Sequence, residues 1–198
     1  MTGPAVDPAE SWAHLMRGNA RFTAGAQMHP RSRPERRLAL LGSQREPRAA
    51  VLGCCDSRVP PELVFDQGLG DIFTVRSAGT VLDDVVLGSL EFAVSVLRVP
   101  LVVVLGHDGC GAIGIAREVA RGEATASGHL AAIVAGIAPA AAAAPPGEAA
   151  EVQTVAVVNA IIAQCPPIAA AVAARRVAVI GATYSLETGE VREVSPRP

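Results

Sequence analysis

The chain has 198 residues, half of them hydrophobic, and its 17 basic residues are all Arg, set against 19 Asp and Glu for a formal charge of −2 and an isoelectric point near 6.1. That length allows one good core and favours a single domain over two. The near-neutral charge offers no broad basic field, which argues against nucleic acid or an anionic membrane as partner and for a small or neutral substrate. The exclusive use of Arg reads as composition bias rather than phosphate recognition.

Aromatic residues make up only 3 %, so the core must be built from Val, Leu, Ile and Ala, which suits an α/β class with a sheet covered by helices. Met1 to Ser11 lacks both a basic start and an apolar run, so it does not read as a signal peptide, and a cytoplasmic location is expected. Apolar stretches are broken by Gly, Asp or Arg short of a membrane span. In a reducing cytoplasm, Cys54, Cys55, Cys110 and Cys165 are expected as metal ligands, nucleophiles or core residues rather than disulfides.

Residues 8 to 24 and 33 to 42 look helical and polar, and residues 1–45 read as an N-terminal helical arm lying on something else, a second copy of the chain being one partner. Residues 46–198 then form one α/β catalytic domain. Its first strand is Ala49 to Gly53, ending at the cluster Cys54 to Arg58. Pro60 to Gln67 suggests a short helix opened by a proline pair, followed by a strand from Asp71 to Arg76. From Asp84 to Leu97 a helix is apolar around nearly its whole circumference, so it is expected to be buried on most sides, with a subunit interface as the second cover. Val99 to Leu105 is a continuous aliphatic run of the kind found mid-sheet. A helix starts near Cys110, and Pro139 to Gly147 suggests a surface connection. Helices over 148–164 and 166–174 precede a last strand, Val177 to Thr183. Strands alternating with helices imply a mainly parallel central sheet flanked by helices, with a site beyond the strands' carboxyl ends.

Two segments at that edge carry the chemistry, Cys54-Cys55-Asp56-Ser57-Arg58 and His107-Asp108-Gly109-Cys110. Neighbouring parallel strands sit about 4.8 Å apart, so side chains at their ends can meet at one ion. Two thiolates and an imidazole form a borderline-soft set suited to Zn²⁺, and three protein ligands leave the fourth tetrahedral position open for catalysis. A lone Cys is more often a small buried hydrophobe, and His-x-x-Cys alone is a weak signal. Both halves together, at two sheet-edge loops of a chain with four His and four Cys, make coincidence a poor explanation.

Gly109-Cys110-Gly111-Ala112-Ile113-Gly114 also satisfies the dinucleotide pattern Gly-x-Gly-x-x-Gly after a strand. The stretch beyond it is Ala/Pro-rich rather than a second strand ending in an acidic residue, and Cys54, Asp56 and Arg58 stay unexplained on that reading. Gly109 and Gly111 are instead expected to let the backbone wrap a metal and start a helix whose N-terminus favours the Cys110 thiolate.

Gly53-Cys54-Cys55-Asp56-Ser57-Arg58-Val59-Pro60, Phe65-Asp66-Gln67-Gly68-Leu69-Gly70-Asp71 and Gly106-His107-Asp108-Gly109-Cys110-Gly111-Ala112 resemble the β-class carbonic anhydrases from about residue 35 to the end, most weakly over 120–150. The resemblance implies that Cys54, His107 and Cys110 bind zinc and that Asp56 and Arg58 form the catalytic pair. It also implies a dimer or a tetramer of dimers. Zinc would lower the pKa of a bound water to about 7 and give a nucleophile for the carbon of CO2, with bicarbonate as product. Two thiolates cancel the ion's charge, so help from outside the ligand set matters more. Asp56 would aim the nucleophile's lone pair, and Arg58 would keep Asp56 ionised and fixed, where the plain alternative is a surface ion pair of little energetic value.

In some members that Asp swings onto zinc as an alternate fourth ligand. The inactive form goes with a pocket carrying Trp three residues before the first zinc Cys, where this chain has Val51, so an open site is expected. The family's usual substrate-binding Gln lies nine residues before that Cys, whereas Gln44 lies ten before, and a one-residue insertion near Arg45 would reconcile them. Cys55 and Cys165 have no role beyond packing, and His14, His29 and His129 are candidate proton carriers. Three functions remain open at this point: CO2 hydration, hydrolysis of carbonyl sulfide or carbon disulfide by the same zinc-activated water, and zinc binding without turnover.

Overall fold

The longest aliphatic runs become the middle of a five-stranded sheet. The computed structural model describes residues 7–41 and 47–195. Strands β1 (Ala49–Cys54), β2 (Ile72–Ser77), β3 (Leu101–His107), β4 (Ala178–Tyr184) and β5 (Val191–Glu193) lie in the order β2-β1-β3-β4-β5. The first four run parallel, and β5 is antiparallel to β4. Every residue of β1 and β3 is buried, as continuous apolar strands in a two-sided sheet require.

Because side chains alternate between faces, each central strand supplies two cores. On one face Leu52, Val102 and Val104 pack with α4 (Asp84–Ser95), α8 (Ala149–Gln164) and α9 (Pro166–Ala173) through Leu90, Val157, Val158, Ile161 and Ile168. On the other, Val51, Val103 and Leu105 meet Trp12 and Leu15 of α1 (Pro8–Thr23) and Val64 of α3 (Pro61–Val64), with Phe65 just beyond it. Helix α1 is started by Asp7, whose carboxylate accepts the Ala9 amide, and α4 by Asp83, which accepts the Val86 amide.

Within this chain the N-terminal helix packs on the sheet through Trp12 and Leu15. Asn19 donates to the carbonyls of Val64 and Gly189 and accepts from Val191 N–H, and Asp66 accepts from Arg21 and from the amides of Met28 and His29. Helix α2 (Pro34–Ala39) comes next, and the boundary expected at residue 45 falls in 42–46, outside the described residues. Helix α4 is buried on one side only in this chain, with Val85, Phe92 and Val96 left 76 %, 47 % and 53 % exposed. The stretch expected to be a surface connection contains α7 (Pro139–Ala143), and α6 (Gly128–Gly136) precedes it, both built from small residues whose apolar periodicity is faint. Strand β5, which no sequence pattern announces, is three residues long and is turned back onto β4 by Gly189 at φ +75. Among the described residues no single helix is long and apolar enough to cross a membrane.

Candidate metal centre

Cys54 ends β1, His107 ends β3, and Cys110 sits at the N-cap of α5 (Gly111–Ala120), so three separate pieces of backbone converge on one point. Their ligand atoms all lie within 4.8 Å of one another, and all three residues are buried. The two sulfurs are 4.0 Å apart. Two thiolates each about 2.3 Å from a tetrahedral zinc would lie roughly 3.8 Å apart, so the cluster has the dimensions of a zinc site.

Local backbone explains the convergence. Gly109, at φ +58, lets the chain reverse between His107 and Cys110, in a conformation that costs a residue with a Cβ about 1 kcal/mol or more. The Asp108 carboxylate accepts the Leu186 amide and pins this loop to the β4–β5 hairpin. Nδ1 of His107 lies 2.7 Å from the Asp108 carbonyl oxygen, which only accepts, so Nδ1 carries the hydrogen and Nε2 keeps its lone pair. That Nε2 is buried without a hydrogen-bond partner. A buried acceptor close to two thiols and bonded to nothing leaves its lone pair free for a metal.

The thiols are equally committed. Cys54 is pulled down, first by its contact with the Cys110 thiol, with His107 and the amides of Asp56 and Gly79 adding to it. Cys110 is pushed up, because two thiols this close cannot both ionise easily and it is buried, although the Ala112 and Ile113 amides at the start of α5 oppose this. Burial lowers the His107 pKa, but the nearby Cys54 sulfur and its negative charge outweigh this and raise it. Two thiolates enclosed by Ile113, Ala116, Ile137 and Ala141 could not both persist without a cation.

Beside Cys54, both oxygens of Asp56 are taken by Arg58: Oδ1 accepts the Arg58 backbone N–H and Nε at 2.9 Å each, and Oδ2 accepts Nη2 at 2.6 Å. Those bonds hold the Asp56 carboxyl well below the usual carboxylate range. Asp56 is outside the group of mutually close ligand atoms. Val51, at the position where the inactive form would carry a Trp, is fully buried aliphatic core. Gln44 lies outside the described residues. His14 faces Gln67 at 3.1 Å, and His29 and His129 are exposed. Cys55 is exposed, and Cys165 is buried with its sulfur 3.7 Å from Glu91.

Sequence reasoning missed Arg76, which donates to the carbonyls of Cys54 (2.8 Å) and Asp56 (2.7 Å) and so clamps the loop that carries both. A charged residue at the end of a strand beside β1 was the available signal. It also missed Gly79 and Gln153, which line the same cavity as Cys54, His107 and Cys110.

The comparisons with known proteins agree with this geometry. A family model described as carbonic anhydrase matches residues 49–191. Carbonic anhydrase 2 of Mycobacterium tuberculosis is 40% identical over a 195-residue alignment covering 94% of this chain and 92% of that protein. A carbonic anhydrase of Mycolicibacterium smegmatis is 58% identical over 110 residues, which span 56% of this chain and only 53% of the relative. Among solved structures, the β-carbonic anhydrase CafA of Aspergillus fumigatus superimposes with a TM-score of 0.68 at 26% identity, covering 93% of this chain and 90% of that one. A tetrameric β-carbonic anhydrase of Sordaria macrospora shares the fold, with a TM-score of 0.72 at 22% identity over 96% of this chain and 99% of that one. With the family model matching residues 49–191, well over half of the chain, and a relative 40% identical over 94% of it, the chain belongs to the β-carbonic anhydrase family.

Proposed function

We propose that the chain is a zinc enzyme that catalyses the reversible hydration of carbon dioxide to bicarbonate and a proton, with Cys54, His107 and Cys110 as the zinc ligands. The observation that carries this reading is the buried triad with an unpaired His107 Nε2 and with Asp56 fixed beside it. A zinc ion held by these three residues would lower the pKa of a bound water to about 7 and so would supply a nucleophile near neutral pH. Asp56, ionised throughout the working range, can only accept a hydrogen bond, so it fixes the orientation of a hydroxyl beside Cys54. Arg58 holds that carboxylate through a bidentate bond and keeps it from turning toward the triad. Ile113, Ile137 and Ala141 wall the sulfurs with apolar surface, which strengthens each amide bond to thiolate by excluding water.

We take the fourth metal position to be open to water, with Asp56 retained on Arg58. A crystal structure near pH 8 with Asp56 on the metal would overturn that part. The activity is tested by stopped-flow CO2 hydration with zinc-loaded protein at pH 7–9, beside Cys54→Ser and Asp56→Asn. Turnover in the wild type, lost in Cys54→Ser and strongly reduced in Asp56→Asn, is the expected result. A fully metallated wild type without turnover would overturn the reading.

We further infer a homodimer or homotetramer, supported by the exposed Val85, Phe92 and Val96 on α4 and by the tetrameric state of the Sordaria relatives. Light scattering on the purified chain tests this, and a monomer at micromolar concentration refutes it. A cytoplasmic location is the reading that keeps Cys54 and Cys110 reduced for metal binding.

A further inference from the structure

Gln153 is fully buried in the middle of α8, far in sequence from either metal-binding segment, yet it lines the same cavity as Cys54, His107 and Cys110. Its two polar ends reach different loops. Oε1 accepts the Ala138 amide at 2.8 Å, and Nε2 donates to the Gly79 carbonyl at 3.3 Å. Gly79 lies in the 3-10 turn Ala78–Thr80 after β2, in the left-handed region at φ +65. A Cβ there would come within 2.7 Å of Ile137 Cδ1 and 3.1 Å of Ala112 Cβ, so the turn sits tightly against the start of α5. From that position Gly79 lines the same cavity as Cys54, and its amide helps to lower the pKa of the Cys54 thiol, whose sulfur also accepts the Asp56 N–H at 3.4 Å.

We propose that Gln153 is a positioning residue for the metal centre: by tying the Gly79 carbonyl to the Ala138 amide, it fixes the turn that lines the cavity beside the Cys54 sulfur. The inference rests on reading Cys54, His107 and Cys110 as metal ligands. A hydrogen bond from an amide withdraws electron density from a thiolate and fixes its direction, and outer partners of metal ligands typically change metal affinity by about 10–100-fold. A glutamine serving only to satisfy buried polar atoms would leave the sulfur unaffected, and this difference is measurable.

The test uses full-length Gln153→Glu and Gln153→Met, close in size to glutamine, with Val158→Ala on the same helix as a packing control. Glu keeps an acceptor for Ala138 but has no N–H for Gly79, and Met has neither. Zinc affinity is read by competition with a chromophoric chelator, and the sulfur-to-cobalt charge-transfer band by absorption of the cobalt-substituted protein. Both Gln153 variants should bind zinc about tenfold more weakly and shift the band, whereas Val158→Ala lowers thermal stability and leaves both unchanged. Folded Gln153 variants with wild-type affinity and band would overturn the proposal, as would a Val158→Ala shift of equal size. A wild type that binds no zinc would overturn both this proposal and the metal reading, which separates that failure from a failure of Gln153 alone.

Discussion

Replacing Gly79 by Ala adds one methyl group at a place where both backbone and packing resist it. A non-glycine residue at φ +65 costs about 1–2 kcal/mol. The new Cβ also lies 2.7 Å from Ile137 Cδ1, a terminal methyl that can rotate away, and 3.1 Å from Ala112 Cβ, which is anchored to backbone and can move only with α5. Overpacking of that kind costs about 1–3 kcal/mol, and the yielding Ile137 places it at the low end. The sum is about 2–4 kcal/mol, or roughly 5–12 °C in Tm for a chain of this length. Thermal denaturation followed by circular dichroism, at fixed protein concentration and with excess zinc, measures it. Gly114→Ala is the matched control: it lies inside α5 with nothing within 4 Å of its would-be Cβ, so it should raise stability by about 0.5–1 kcal/mol. A Gly79→Ala protein melting within 2 °C of wild type, or two variants shifted in the same direction, would refute the reasoning.

Three further outcomes are expected. Burial pushes the Asp66 carboxyl up, but the Arg21 bond and the Met28 and His29 amides more than offset it, so its folded pKa lies below the ordinary 3.8. A depressed carboxylate stabilises the fold above its unfolded pKa and loses that contribution as pH falls through the folded value. The Tm gap between wild type and Asp66→Asn should therefore be constant from pH 6 to 8 and shrink below pH 4, and a gap unchanged at pH 3 contradicts this. Asp56→Asn should lower kcat by roughly 100-fold, and Arg58→Ala should lower it less. Even freed of Arg58, the Asp56 carboxylate would ionise far below pH 7, so the Arg58→Ala deficit should not change between pH 7 and 9; stopped-flow rates across that range decide it. Zinc at 100 times its dissociation constant should add about 2.7 kcal/mol to stability, or about 5–10 °C in Tm. Chelation should remove that increment from the wild type and leave Cys54→Ser unmoved.

What was legible in the sequence was whatever a local pattern encodes. The continuous run Val102-Val103-Val104-Leu105 marks a strand buried on both faces because nothing else tolerates apolar residues at both periods. Two chemical clusters after such strands share an edge because parallel topology leaves no other arrangement. The circumference of α4 is as apolar as its sequence says, but a sequence does not say which side of a helix the same chain covers. Arg76, Gly79 and Gln153 stayed invisible for a different reason. Each acts through backbone groups of distant segments, such as the Cys54 carbonyl 22 residues away or the Gly79 carbonyl 74 residues away, and no spacing rule connects them.

Placing Gln153 in the cavity depends in turn on how closely α8 approaches the sheet, and Gly106 sets that distance. The parallel register pairs Gly53 with Leu105, so the next residues along the two strands are Cys54 and Gly106. A Cβ on Gly106 would stand 2.1 Å from Thr154 Oγ1, and one on Gly181 of the neighbouring strand 3.0 Å from Thr154 Cγ2. Two glycines on adjacent strands thus form the seat for Thr154, and the residue before it is Gln153. Thr154 cannot turn aside freely, because its hydroxyl is bonded to the Ala150 carbonyl at 2.7 Å. Gly106→Ala should therefore destabilise by about 1–3 kcal/mol and weaken zinc binding as α8 is pushed outward. Thr154→Ala should cost less, and in the double variant the added methyl should occupy the space that the threonine vacates. The double-mutant cycle should show a coupling of about 1–2 kcal/mol in the direction of rescue, where independent sites add to within about 0.5 kcal/mol. Additive losses would mean that α8 keeps its distance by other contacts, and that Gly106 does not govern where Gln153 stands.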